Sequence, residues 1–223
     1  MFDQSISRFL GLGPAPTIRL CLPHFDRAVA GSSEADAFVY PSNALAERDV
    51  RSAFHVQRLA SEAGAEVRFI SPDALARELD STASGEATSV VFGSRSNPAL
   101  GRVLGSTVLR HLMEFEFGSE WVIRLKDGSR YSLDDPSKLS RDAYAAKVDF
   151  GVVAGCTAAA GSAGSLFVVA GLGGRATEGC GIYLQREWRS LADRAGGRAF
   201  AAVLRFDPPI NPETSVLANV VIH

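Results

Sequence analysis

The chain has 223 residues, of which 46% are hydrophobic and 22% are charged, and its formal net charge is -2 at pH 7. A chain of this length and composition buries a full core, so we predict one compact soluble domain. The small net charge excludes the basic excess that binding to duplex nucleic acid requires, and the three cysteines lack the spacing of a disulfide framework or a zinc site. We therefore expect a cytoplasmic protein with no bound metal and no nucleic acid duplex as partner.

Residues 1–16 are predicted to form a leader segment. Its hydrophobic positions are interrupted by Asp3 and Arg8, so it predicts a short helix and neither a signal peptide nor a membrane span. The Gly/Pro-rich residues 11–16 break that helix. Residues 17–223 then form the single domain.

The first half of that domain alternates short apolar runs with segments of helical periodicity. We predict strands at 17–22, 66–70 and 89–92, and helices at 41–63, 72–79 and 98–112. Ser42 or Asn43 is expected to cap the first of these helices. Alternating strands and helices predict a Rossmann-like three-layer sandwich with a mostly parallel central sheet.

The second half differs because it begins with a predicted β-hairpin. Alternating residues flank an Asp127-Gly128 turn, which predicts a hairpin inserted at about 115–133. The remaining strands are predicted at 149–155, 166–170, 198–206 and 216–222, with a helix at 178–194. We expect the C-terminal strands to be antiparallel and to lie at the edge of the sheet.

Two strand-loop-helix junctions are the predicted functional site. A helix start exposes unpaired N–H groups and the positive end of the helix dipole, and glycines let an anion approach them. In a parallel sheet such loops lie at the carboxyl ends of strands, where ligands bind. The candidate ligand-binding residues are Gly93, Ser94, Arg95, Ser96 and Asn97 in the first loop, and Gly171, Gly173, Gly174, Arg175 and Thr177 in the second.

Each of these residues also has a purely structural interpretation. Asn97 and Thr177 fit helix N-caps whether or not a ligand is present, and Arg95 and Arg175 fit solvated loop charges. Of the four histidines, His24, His55 and His111 lack partners at metal-ligand spacing, so they predict no metal site. Glu178 is the candidate catalytic residue, because it is the carboxylate placed at a glycine-rich loop.

The two junctions resemble parts of a known superfamily. Residues 90–96, Val-Val-Phe-Gly-Ser-Arg-Ser, and residues 173–177, Gly-Gly-Arg-Ala-Thr, look like the first strand-loop and the later phosphate loop of the LOG-like superfamily. That superfamily consists of Rossmann-like proteins, among them nucleoside-monophosphate phosphoribohydrolases and sensors of NAD-derived signals. The hydrolases have a glutamate three residues after the motif threonine, where this chain has Cys180, and Ala176 replaces a motif glycine. The resemblance implies nucleotide binding and does not carry over the catalytic glutamate.

From these observations we expect a ligand sensor or regulatory module that binds a phosphorylated nucleoside or nucleotide-derived ligand. One alternative is a hydrolase of N-glycosidic bonds in NAD or nucleoside monophosphates, with Glu178 at the ribosyl centre. Another is an interaction module without a small ligand, with the hairpin around Asp127-Gly128 as its surface. The identity of the ligand, the homo-oligomeric state and the presence of an effector partner stay open at this stage.

Overall fold

The computed structural model describes residues 2–25, 29–30, 38–39, 44–80, 87–157 and 164–223. The helices are α1 (Gln4–Phe9), α2 (Glu47–Glu62), α3 (Pro72–Asp80), α4 (Pro98–Ser106), α5 (Arg141–Ala145) and α6 (Gly174–Ala195), with 3-10 turns at Val108–His111 and Pro136–Lys138. The strands are β1 (Thr17–Cys21), β2 (His24–Phe25), β3 (Val29–Ala30), β4 (Phe38–Val39), β5 (Ala44–Leu45), β6 (Glu66–Ile70), β7 (Thr88–Phe92), β8 (Met113–Phe117), β9 (Glu120–Leu125), β10 (Arg130–Asp134), β11 (Asp149–Thr157), β12 (Ser165–Gly171), β13 (Phe200–Phe206) and β14 (Ser215–Ile222).

Seven of these strands form the central sheet, in the order β14-β13-β11-β12-β7-β1-β6. The four neighbours β12, β7, β1 and β6 are parallel, whereas β11 is antiparallel to both β12 and β13, and β14 is antiparallel to β13. The predicted α/β class is confirmed at this level, with the parallel strands gathered at one end of a mixed sheet.

Two apolar layers cover the sheet, because successive side chains of a strand point to opposite faces. On one face, α1, α2 and α6 pack against residues such as Val90 and Phe92. On the other face, α3, α4 and the small sheet β10-β9-β8 pack against residues such as Val91. The central strands therefore carry apolar side chains toward both layers, as in β7, where Val90, Val91 and Phe92 are all fully buried.

Several predicted elements have different ends in the structure. The helix predicted from residue 41 begins at Glu47, because Ala44–Leu45 is a short strand paired with β2. Residues 41–43, including the predicted caps Ser42 and Asn43, lie outside the described residues. The helix predicted over 98–112 ends at Ser106 and continues as a separate 3-10 turn. The predicted hairpin is present as β9 and β10, and a third strand, β8, pairs with β9.

The topology brings three helix starts to one edge of the sheet. The parallel strands β1, β7 and β12 end there, and they lead toward α2, α4 and α6 in turn. The helix after β7 lies on one face, while the helices after its two neighbours lie on the other. Connections that leave in opposite directions open a crevice at the strand ends.

No helix within the described ranges has both the length and the apolar character that crossing a bilayer requires.

Candidate functional site

A cleft of about 220 Å³ lies at this edge of the sheet. Three segments form it: the start of α2 (residues 46–49), the β7–α4 loop and the β12–α6 loop, with Trp121 of β9 beside them. The sequence-predicted residues that line the cleft are Gly93, Ser94, Ser96, Gly171, Gly173, Gly174 and Thr177. The two predicted loops therefore share one cleft, to which α2 adds a third wall that the sequence analysis did not include.

The backbone of Gly93 needs a conformation that L-residues rarely adopt. Its φ is +79°, and a Cβ added there would lie 2.9 Å from the Ser96 hydroxyl and 3.2 Å from a carboxylate oxygen of Asp49. Glycine thus lets the chain turn sharply out of β7 and lets Asp49 approach the loop.

Asn97 has a structural role that uses its whole amide group. Its Oδ1 accepts a hydrogen bond from the Ala99 backbone N–H at 3.0 Å, and its Nδ2 donates to the Phe92 and Cys21 carbonyls at 2.8 and 3.2 Å. The side chain caps α4 and ties the ends of β7 and β1 together. It is buried and does not line the cleft.

Each of the two predicted arginines contacts an aromatic ring. The Arg95 guanidinium lies 5.5 Å from the centroid of the Trp121 ring, and that of Arg175 lies 5.6 Å from the centroid of the Tyr144 ring. Arg175 also donates to the Ile210 carbonyl at 3.4 Å. Neither arginine lines the cleft where the two loops meet.

Thr177 is not the N-cap of α6, because the helix begins three residues earlier with Gly173 in the capping position. Its hydroxyl accepts a hydrogen bond from the Gly171 N–H at 2.9 Å. The hydroxyl also lies 3.4 Å from the Gly173 carbonyl as a donor. Thr177 therefore closes the β12–α6 turn with its own side chain.

Glu178, the candidate catalytic residue, is held by two arginines of α2. Its buried carboxylate forms an ion pair with Arg48, and its other oxygen lies 3.8 Å from Arg51. Glu178 does not line the cleft, whereas Arg48 does. The contact joins α2 to α6 and positions the Arg48 guanidinium.

The start of α6 already holds an anion that the protein supplies. Asp149, which is fully buried, accepts hydrogen bonds from the Gly173 N–H at 3.2 Å and from the Tyr144 hydroxyl at 2.6 Å. A Cβ on Gly173 would lie 2.2 Å from the Tyr144 oxygen, so only glycine fits between them. Burial raises the pKa of Asp149 to about 6, while these hydrogen bonds oppose the rise. The carboxylate thus occupies the place at the helix N-terminus that the sequence analysis assigned to a ligand phosphate.

Asp49 is the unexplained polar group of the cleft. It stands in the first turn of α2, is only 5% exposed and lines the cleft. Within the described residues its carboxylate has no hydrogen bond or ion pair, and burial raises its pKa to about 6. A buried carboxylate without a donor is costly to the fold, and such groups mark functional sites.

Hydrogen-bond donors without an acceptor among the described residues line the same cleft as the Asp49 carboxylate. In the described part of the chain, the hydroxyls of Ser94 and Ser96 make no hydrogen bond, and the Gly174 N–H has no acceptor. Arg48 adds a half-exposed guanidinium. One buried acceptor and several free donors suit a small ligand that carries both hydroxyl groups and negative charge.

Sequence reasoning missed Asp49, Arg48, Asp149 and Trp121 as residues of this region. The predicted helix start at residue 41 put Asp49 two turns into a helix, where a solvated face is the ordinary interpretation. Asp149 opens a strand whose next residues are apolar, and nothing beside it in the sequence indicates that it accepts from the start of a helix 24 residues later. Nothing in the sequence around Trp121 indicates that β9 reaches the cleft.

No group of three or more His, Cys, Asp or Glu side chains with metal-binding geometry occurs among the residues the structure covers. The chain has no significant match among protein-family models, curated proteins or solved structures. Its function must therefore be argued from the cleft.

Proposed function

We propose that this cleft binds a phosphorylated nucleoside or nucleotide-derived ligand and that the protein is a sensor or regulatory module with a Rossmann-like domain. The observation that carries the proposal is Asp49, a buried carboxylate without a partner at the point where the glycine-rich loops meet. In dinucleotide-binding α/β folds, an acidic side chain accepts hydrogen bonds from ribose hydroxyls. We assign that role to Asp49.

The phosphate group is assigned to the donors on the other walls of the cleft. The Ser94 and Ser96 hydroxyls, the Gly174 N–H and the Arg48 guanidinium are the groups that an anion requires, and all four residues line the cleft. Arg48 keeps its position through Glu178. The start of α6 contributes less than the sequence predicts, because Asp149 already accepts from Gly173.

The proposal is tested by comparing the ligand affinity of the wild type with that of a variant changed at one side chain of the cleft. Isothermal titration calorimetry with ADP-ribose, NAD, AMP and ribose 5-phosphate should identify at least one ligand for the wild type. Asp49→Asn keeps the shape but removes the charged acceptor, so affinity should fall by about tenfold to a hundredfold, corresponding to the 1.5–3 kcal/mol of a hydrogen bond to a charged group.

Asp193→Asn is the matched control, because Asp193 is an exposed carboxylate near the other end of α6. It should bind the same ligand with unchanged affinity. Absence of binding by every phosphorylated compound would contradict the proposal and leave the interaction module as the better interpretation. Equal affinity of the wild type and Asp49→Asn would remove Asp49 from the site.

A hydrolase of N-glycosidic bonds is the second candidate, and it is favoured by the raised pKa of Asp49. A pKa of about 6 lets a carboxyl group act as acid or base near neutral pH. Water would add to the anomeric carbon and give up a proton to the Asp49 carboxylate while the carbon–nitrogen bond breaks with its electron pair on the base. Nicotinamide would leave NAD as a neutral base without taking up a proton, and the base of a nucleoside monophosphate would take up one proton as it leaves. In this mechanism Asp49 takes the role that the sequence analysis gave to Glu178.

Product analysis separates the sensor from the enzyme. Incubation with NAD and nucleoside monophosphates, followed by chromatography, should release no free base if the protein is a sensor. Release of base that is lost in Asp49→Asn would establish the hydrolase. Release that persists in that variant would exclude Asp49 from the chemistry.

A further inference from the structure

We propose that the ligand has two parts and extends from the cleft into a neighbouring groove between α4 and β8, where its aromatic base stacks. This inference rests on the proposed function. It narrows the ligand class to ribosyl diphosphates that end in a nucleoside, with ADP-ribose as the representative.

The groove has a volume of about 390 Å³ and shares Ser94 with the cleft. Sites for ligands of this size measure roughly 300–1,000 Å³, so the cleft of about 220 Å³ is too small for a whole dinucleotide. The cleft and the groove together have the required size. A ligand that occupies both cavities would pass Ser94, because this residue lines both of them.

The walls of the groove fit a flat aromatic group. Phe115 and Phe117 alternate along β8, and their rings are stacked with centroids 5.8 Å apart and planes 7° from parallel. Phe117 is 39% exposed, so its ring is accessible to a ligand in the groove. On the opposite wall, a Cβ added to Gly101 or Gly105 of α4 would meet no atom within 4 Å. The groove therefore has open space facing two stacked rings.

The charges along the groove fit a diphosphate. Arg95 and Arg110 both line it. Glu114 also lines it, but Arg124 pairs with that carboxylate at 3.1 Å. The guanidinium of Arg95 lies over Trp121, and Trp121 itself lines the cleft. Arg95 thus stands at the junction of the two cavities, where the linking phosphates of a two-part ligand would lie.

The indole N–H of Trp121 supports the same location. It is buried and has no hydrogen-bond partner in the part of the chain that the structure describes. Its ring forms the base on which Arg95 rests. The Trp121 N–H, a donor next to Arg95 for which the described residues supply no acceptor, is thus a second unexplained polar group in this region after the Asp49 carboxylate.

The test compares a two-part ligand with its smaller fragment in a variant that blocks the groove alone. Wild-type protein should bind ADP-ribose at least tenfold more tightly than ribose 5-phosphate. Gly101→Leu places a side chain in the groove from an exposed helical position, and it should weaken ADP-ribose binding about tenfold without changing the affinity for ribose 5-phosphate. Gly101→Ala is the control, because a methyl group leaves most of the groove open and alanine favours the helix.

Phe117→Ala is the second variant, since base stacking on an aromatic side chain typically contributes about tenfold or more to affinity. Equal affinities of the wild type for ADP-ribose and ribose 5-phosphate, or unchanged ADP-ribose binding in both Gly101→Leu and Phe117→Ala, would overturn the two-part ligand while leaving the cleft proposal intact. Absence of binding by both ADP-ribose and ribose 5-phosphate would overturn the two-part ligand, and the cleft proposal would fail with it only if NAD and AMP also did not bind.

Discussion

Asp49 illustrates how a single side chain can cost the fold free energy. It is buried without a partner, and its pKa of about 6 lies above the ordinary value of 3.8. Between pH 3.8 and about pH 6, the Asp49 carboxyl group is therefore protonated to a larger extent in the folded state than in the unfolded state. Each pKa unit corresponds to about 1.36 kcal/mol, so ionising Asp49 destabilises the fold by up to about 3 kcal/mol. This penalty is absent below pH 4, grows as the pH rises toward 6 and is complete above it.

We predict that Asp49→Asn stabilises the protein at pH 8 while it weakens ligand binding. The variant has no carboxyl group to ionise, so its free energy of unfolding should exceed that of the wild type by up to about 3 kcal/mol at pH 8 and by much less at pH 4.5. Urea denaturation at the two pH values measures the difference. Asp193→Asn should differ from the wild type by less than about 0.5 kcal/mol at both. A destabilised Asp49→Asn at pH 8 would show that the carboxylate has a stabilising partner.

At the scale of elements, the start of α6 depends on a cap from another part of the chain. Gly173 has no side chain to cap the helix, and Asp149 from the start of β11 accepts from its N–H. Tyr144 of α5 fixes that carboxylate and also accepts from the Arg175 N–H at 3.3 Å. Two consecutive elements, α5 and β11, thus complete the start of a helix that follows β12 in the chain.

Tyr144→Phe should therefore destabilise the protein by about 2 kcal/mol, because it removes a hydrogen bond to a buried carboxylate. The loss should be larger at pH 8 than at pH 5, since Tyr144 lowers the pKa of Asp149 and its absence makes ionisation more costly. Tyr131→Phe is the matched control. The Tyr131 hydroxyl has no hydrogen bond among the described residues, and its ring keeps the contact with Phe150. Equal effects of the two changes on urea denaturation would contradict this role for Tyr144.

The sequence predicted the elements of the sheet well and their polar contacts poorly. Strand β6 has its predicted ends, β7 begins one residue earlier than predicted, and β12 is one residue longer at each end. Strands β7 and β12 were recognisable because buried parallel strands contain continuous apolar runs. The start of α2 was wrong by six residues, since the pairing of β5 with β2 depends on a distant segment. The partners of Asp149 and Glu178 could not be predicted for the same reason. Each contact joins elements whose relative position only the folded chain determines.

For the whole molecule, the predicted leader segment packs into the core on the face of α2 and α6. Helix α1 places Ile6 and Leu10 there with exposures of 1% and 0%. The Thr88 hydroxyl donates to the Leu10 carbonyl at 2.7 Å, and the Asp3 N–H donates to the Glu62 carbonyl at 3.0 Å. These residues therefore stabilise the central sheet rather than stand apart from it.

Leu10→Ala should lower the free energy of unfolding by about 2–5 kcal/mol, the range for truncating a fully buried leucine. Phe2→Ala is the control in the same segment, since Phe2 is 69% exposed, and its effect should stay below about 1 kcal/mol. Urea denaturation of both variants provides the measurement. A Leu10→Ala variant as stable as Phe2→Ala would show that α1 does not contribute to the cooperative fold.

The positions of the two tryptophans give the protein two separate optical reporters. Trp121 lines the cleft beneath a guanidinium, whereas Trp188 is 4% exposed on α6 and packs against Phe9. The start of α6 at the cleft and Trp188 are fourteen residues apart, roughly 21 Å along the helix. Ligand binding in the cleft should thus alter the fluorescence emission of Trp121, and loss of tertiary structure should alter the emission of Trp188. A Trp121→Phe protein would therefore keep its unfolding signal and lose its ligand signal.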